Sequence, residues 1–204
     1  MNMSEIQSSA RHSLRERKRA KAIALIQEKA LELFIIQGYE ATTVEQIAEA
    51  AEVSPSTFFR YFSTKKAVAL HDSLDPRIIE AFRVQPGELT VIKALREALR
   101  SVFKEISKEQ LDRELKRGEL ILREPELQTA MIDEFARNID MFSELIAERL
   151  NRKPDDLAVR TLAGAIIGAM LSVILQSNSS NPGKNYFESF DKVLEQLEIG
   201  LVVS

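Results

Sequence analysis

No cysteine and no tryptophan occur among the 204 residues, and histidine occurs only twice. Without cysteine there is no disulfide framework and no thiolate metal site. His12 and His71 lie far apart, and neither neighbours a nucleophile or a ligand-spaced cluster. A G-x-S-x-G elbow and a glycine-rich phosphate loop after a strand are both missing. These gaps weigh against an enzyme, a metal site and a cofactor. Glycine (seven) and proline (six) are scarce, and no segment alternates apolar and polar residues with period two, which weighs against β architecture. The longest apolar run, "LAGAIIGAMLSVIL" at 162–175, falls short of the ~20 residues of a bilayer span and reads as a buried helix. The opening "MNMSEIQSSARHSLRERKRAKA" has no apolar core of the secretory-signal kind. A cytoplasmic protein is expected.

What remains is a chain of good helix formers, 45% hydrophobic and 29% charged. Its net charge of −3 is unevenly spread. Residues 1–66 hold ten basic and eight acidic side chains, and 11–21 carry Arg11, Arg15, Arg17, Lys18, Arg19 and Lys21 against Glu16 alone. A basic head on an acidic body suggests two tasks in one chain.

Helical periodicity runs through the sequence. Ile23, Ile26, Ala30, Leu33 and Phe34 share a face of a helix expected over 15–37, which Gly38 ends. Thr43 and Gln46 form a capping-box pattern before a short helix near 43–51. Ser54 and Pro55 suit the N-cap and first position of a second short helix, 55–62. Two short helices across a tight turn have helix-turn-helix spacing. Longer helices are expected at 65–84 (interrupted at "DPR"), 89–106, 108–123 (weakened by Gly118), 125–150, 155–177 and 186–202, with "SNSSNPGK" as the clearest loop. The expected fold is all-α: a three-helix head over 1–64 and a larger helical bundle over 65–204.

Chemistry concentrates in "VSPSTFFRYFSTKK", residues 53–66, which crowds Phe58, Phe59, Tyr61 and Phe62 among hydroxyls and cations and holds no acid. Phe58 and Phe62, four apart, lie on one side and should pack inward. Ser56, Phe59, Arg60 and Ser63 face away, and Tyr61 flanks the core. An outward ring, a guanidinium and hydroxyls together suit a DNA groove, where they can touch thymine methyls, guanine edges and phosphates. The plainer reading of Phe59 is packing against a neighbouring domain.

"TTVEQIAEAAEVSPSTFFRYFSTKKAV" resembles the signature of the TetR family of one-component repressors, on Thr43, Ile47, Ala48, Ala51, Val53, Ser54, Thr57, Phe59, Tyr61, Phe62, Thr64 and Lys65. Lys66 departs from the pattern, which has an acid there. The resemblance implies double-stranded operator DNA as partner. It implies phosphate contacts from Thr43 and Lys65, a backbone contact from Tyr61, and Ser54, Pro55, Ser56 and Thr57 at the front of a recognition helix. Ser56, Phe59 and Arg60 would read bases, with Pro55 offering shape alone. The basic arm, Arg15 to Lys21, either reaches DNA or is a solvated helix start.

The stretch from "REPELQTAMIDEFARN" to "TLAGAIIGAM" resembles the body of mycofactocin-system-type regulators, which implies a small apolar, acyl-CoA-like effector. Phe103, Met131, Phe135 and Phe142 are the candidate pocket residues, although an apolar stripe also makes ordinary core. Gly164, Gly168, Ala163, Ala165 and Ala169 permit close helix approach, so a homodimer through the last two helices is expected. The expected function is a ligand-responsive transcriptional regulator, most simply a repressor. The rivals are a helical apolar-ligand or acyl-CoA-binding protein without a DNA role, and a small enzyme.

Overall fold

Helices and no strands make up the described residues of the computed structural model, which cover the backbone of 3–177 and 186–200 and the side chains of Arg15, 17–175 and 187–200. Residues 178–184 of the "SNSSNPGK" loop, the side chain of Arg11 and Leu201 fall outside them. The chain divides into two compact units, 1–71 and 72–204.

The first unit, the head, holds α1 (Met3–Gln37), α2 (Val44–Ala50), α3 (Pro55–Tyr61) and α4 (Lys65–Leu70). Helix α1 begins well before Arg15. Of its expected inner face, Ile26, Ala30 and Phe34 are buried, and Ile23 and Leu33 are half-buried. Gly38, at φ +93°, ends it, and its N–H bonds the carbonyl of Phe34 at 3.1 Å. Ile47, Ala48, Ala51, Phe58, Phe62, Val68 and Ala69 complete the core of the head. The units divide beyond the expected 64/65 boundary because α4 buries Val68 and Ala69. In addition, buried Gln27 of α1 donates to the carbonyl of His71, the α4 C-cap, at 2.5 Å.

The second unit, the body, holds α5 (Asp75–Arg83), α6 (Val91–Glu105), α7 (Lys108–Arg123), α8 (Pro125–Leu150), α9 (Leu157–Ser177) and α10 (Tyr186–Ile199). The interruption expected at "DPR" lies just before it, because Pro76 sits in the first turn of α5. Gly118 leaves α7 unbroken. Asn151, at φ 51°, closes α8, with the Arg152 N–H reaching back to the carbonyl of Ala147 at 3.0 Å. The core gathers Phe82, Ala94, Leu95, Leu99, Leu145, Ile146, Val159, Ala163, Ile166 and Leu194 from α5, α6, α8, α9 and α10.

Helix α9 differs from expectation in one respect. Read through Arg160, its apolar stretch extends over Leu157–Leu175, long and apolar enough to cross a membrane by length and composition. Val159, Ala163, Ile166, Ile167 and Val173 are buried. The other face, from Ala158 through Thr161, Ala165, Gly168 and Ser172, is exposed, and Leu157 at one end is 82% exposed.

Candidate nucleic-acid interface

Local rules place the head's short helices. The Thr43 side chain accepts from the Gln46 N–H at 3.2 Å, and the Gln46 side chain accepts from the Thr43 N–H at 2.9 Å, completing the capping box. At the far end of α2, Glu52 takes the left-handed conformation, φ 52°. The Val53 N–H then bonds Ala48 and the Glu52 N–H bonds Glu49, a Schellman closure without its usual glycine. Nothing in the local sequence marks Glu52 for this role. Ser54 caps α3 by accepting from the Thr57 N–H at 3.1 Å.

Helix α3 therefore presents two faces. Inside, Phe58 is wholly buried, and its ring centroid lies 6.0 Å from that of Phe62. Outside, Phe59 is 54% exposed and held edge-on against Phe58, with centroids 5.5 Å apart. A large ring kept half in water by a buried ring beneath it is a rigid contact surface. Ser56, Arg60 and Pro55 are exposed beside it, and Thr57 and Tyr61 are half-buried. The Arg60 guanidinium donates to the Tyr61 hydroxyl at 3.1 Å and lies 4.8 Å from the Tyr61 ring centroid. Its direction is thus set before any partner arrives. Hydroxyls of Ser54, Ser56 and Thr57 hydrogen-bond one another at 2.9 and 3.0 Å.

Lys65 sits elsewhere. Its ammonium donates to the carbonyls of Tyr39, Glu40 and Thr42 at 2.8, 3.2 and 3.2 Å, and rests 4.4 Å from the Tyr39 ring centroid. Lys65, for which the family resemblance implies a phosphate contact, here clamps the α1–α2 turn. Arg15, Arg17, Lys18, Arg19 and Lys21 of the basic arm are exposed.

In the body, the four candidate pocket residues are all half-buried. Phe103 and Phe142 pack on the core, with Phe103 against Phe187 at a centroid distance of 5.2 Å. Met131 and Phe135 are half-buried further toward the start of α8, outside that cluster. A shallow groove of about 680 Å³ runs along α9, walled by Leu157, Ala158, Thr161 and Ala165 with Ile92 and Leu197.

The body also carries two charge clusters that sequence reading missed. Arg96 of α6 meets Asp191, Glu195 and Glu198 of α10 at 2.8, 3.2 and 3.0 Å, and Arg100 meets Asp191 at 2.8 Å. The hydrogen bond from Arg96, with that from Arg100, holds the Asp191 carboxyl below its usual range. In the second cluster, Arg117 of α7 binds Asp72 at 2.6 Å and Glu114 at 2.7 Å, and Ser73 donates to Glu114 at 2.7 Å. Beside them, burial and then the negative charge of Asp72 push the Asp75 carboxyl up to about 7. Among the described residues no three His, Cys, Asp or Glu side chains form a metal-holding group.

Comparison with known proteins adds to this geometry. Residues 26–71 match the family model of bacterial regulatory proteins of the tetR family, and residues 89–202 match that of the MftR C-terminal domain. The HTH-type transcriptional regulator TcmR of Streptomyces glaucescens is 43% identical over 101 residues, 48% of this chain and 45% of TcmR. The match thus spans less than half of TcmR. The mycofactocin biosynthesis transcriptional regulator MftR of Mycobacterium tuberculosis is 28% identical over 172 residues, 76% of this chain and 79% of that protein. Among solved structures, the Thermus thermophilus repressor FadR in complex with lauroyl-CoA superposes with a TM-score of 0.54 at 25% identity, covering 89% of this chain and 96% of FadR. FadR of Bacillus halodurans, at 22% identity and TM-score 0.58 over 90% and 97% of the two chains, shares the fold.

Proposed function

Since the chain belongs to the TetR family of bacterial regulatory proteins, with an MftR-type C-terminal domain, we propose that it represses transcription by binding operator DNA and lets go when its body takes up a small apolar effector. The observation that carries this reading is the two-faced α3, with Phe58 sealed in the core and Phe59, Ser56 and Arg60 outside. A ring, a hydroxyl and a cation on one exposed face match what a major groove offers. Exposed Arg17, Lys18, Arg19 and Lys21 add charge that suits a neighbouring stretch of backbone.

Two copies would place two α3 helices in successive major grooves, about 34 Å apart. The uncovered face of α9 supports that pairing. Its small residues, Ala158, Ala165, Gly168 and Ser172, let a second backbone approach, and its groove accepts side chains from a partner. Apolar half-buried positions on α8, Met131 and Phe135 among them, are proposed to line the effector site with Phe103 and Phe142. The lauroyl-CoA held by the Thermus protein supports an acyl-CoA-like effector here. The effector shifts DNA affinity only as far as it prefers the released conformer. A cytoplasmic location follows from this role.

The deciding experiment is a gel shift on duplexes flanking the protein's own gene, across a salt series. Selective, salt-sensitive binding is expected, and a wild type that binds no duplex selectively overturns the reading. Arg60→Ala should cost about 1–3 kcal/mol at one operator position and relax selectivity there.

A further inference from the structure

We infer that Lys65 is a positioning residue for operator recognition: it fixes the α1–α2 turn, and through it the direction of α2 and α3, and it does not bind phosphate. The inference rests on the DNA-binding reading and adds a division of labour within it.

A lysine ammonium has three N–H donors. The Lys65 ammonium has three carbonyls within 3.2 Å, those of Tyr39, Glu40 and Thr42, and the buried Tyr39 ring alongside at 4.4 Å. Every donor is used. To reach a phosphate the ammonium would have to abandon carbonyls that face it from a single turn. That turn also depends on it. Besides one backbone bond, from the Thr42 N–H to the carbonyl of Tyr39 at 3.3 Å, its other ties are side-chain bonds: the Thr42 hydroxyl donates to the carbonyl of Gly38 at 2.7 Å, and Gln37 donates to Thr42 and to Gln46 at 3.2 and 2.9 Å. Gln46 also accepts from the Thr43 N–H in the α2 capping box. Lys65 is thus the link from α4 to the segment that aims α2, and α2 carries α3 across the tight turn at Glu52.

A direct phosphate contact and a positioning role have different signatures. Removing a phosphate-binding cation weakens all sequences evenly and makes the salt slope shallower by about 0.9. Removing a positioning cation spoils the alignment that base readout needs and leaves the slope alone. Arginine separates the two again. It keeps the charge and serves a phosphate well, yet its planar fork cannot converge on three carbonyls as an ammonium does.

The test uses the full chain as wild type, Lys65→Met and Lys65→Arg, titrated with the duplex flanking its own gene and with a random duplex over a salt series. Expected is a loss of selectivity on the order of tenfold in both variants, with the salt slope unchanged. A shallower slope in Lys65→Met, or recovery of selectivity in Lys65→Arg, overturns the inference. If the wild type binds neither duplex selectively, the DNA reading fails by itself, and amide hydrogen exchange of the free proteins then judges Lys65. Faster exchange at 42–46 in both variants, with α6 unchanged, supports it, and unchanged exchange overturns it. Should Lys65→Met not fold, ¹⁵N spectroscopy of the wild-type ammonium decides. A slowly exchanging signal unmoved by adding duplex supports the positioning role, and a signal displaced by duplex overturns it.

Discussion

Both units have a side chain that grips the backbone of a turn, Lys65 in the head and Arg149 on the carbonyls of Gln85, Pro86 and Leu89 in the body, but among the described residues the ion pairs that cross from helix to helix lie in the body. In the head, Lys65, Gln27 and Thr42 donate to main-chain carbonyls, and Thr43, Ser54 and Thr64 cap helix starts. In the body, Arg96 and Arg100 join α6 to α10, Arg117 joins α7 to Asp72, and Arg160 of α9 meets Asp140 of α8 at 3.0 Å. The difference follows from element length. Helices α2, α3 and α4 have seven, seven and six residues, too short to persist alone, so their turns must be fastened directly. Apart from the nine-residue α5, the body's helices are longer, and ion pairs between them add to the packing of their apolar faces. A gripped turn has essentially one arrangement, whereas a charged seam yields to salt and protons.

The comparison breaks most visibly at Phe58. Phe58→Ala should cost about 3–5 kcal/mol of head stability. Thermal melts should show early loss of the head while the body's transition holds. Arg96→Met tests the opposite unit. It takes one of two arginines from Asp191, which keeps Arg100, and removes the partner that Glu195 and Glu198 share, and should destabilise the body by about 1–2 kcal/mol. The urea midpoint of the body should fall and that of the head should not.

The Asp75 effect is comparable and carries a sign. Its folded value of about 7 lies above the ordinary carboxylate range, so the folded protein holds a proton that the unfolded chain gives up. Its contribution is complete below the unfolded value and is lost as pH rises through about 7. Wild-type body stability should drop between pH 5 and 8 by roughly 1–3 kcal/mol, and Asp75→Asn should flatten that drop in urea titrations at several pH values. Thr43→Ala, which removes one cap, should cost the head about 1 kcal/mol. Phe59→Ala should leave both melts nearly unmoved, its ring being half in water, while selective DNA binding falls. A stability loss as large as that of Phe58→Ala would show that Phe59 belongs to the core.

Local chemistry was legible in the sequence. The capping box at Thr43, the Ser54–Pro55 helix start and the inward pair Phe58 and Phe62 are set by neighbours within four residues, and all are present. Long-range chemistry was not. Lys65 meets carbonyls 23 to 26 residues away, and no spacing rule joins them. Asp75 reads as an ordinary first-turn acid until folding surrounds it with Asp72, Glu114 and Glu134. Helix α9 is apolar all round, so periodicity could not say which side stays uncovered. The four pocket candidates lay on genuine apolar stripes. Phe103 and Phe142 are half-buried and pack against the edge of the core.

That uncovered side of α9 has a consequence at the scale of the cell. If the proposed second copy covers that face, the chain's stability depends on its own abundance. Below a threshold number of molecules, single chains would expose the stripe and be cleared. Above it they would pair and persist. Gene dosage would then act as a switch in its own right, sharpening the response to small changes in synthesis before any effector arrives.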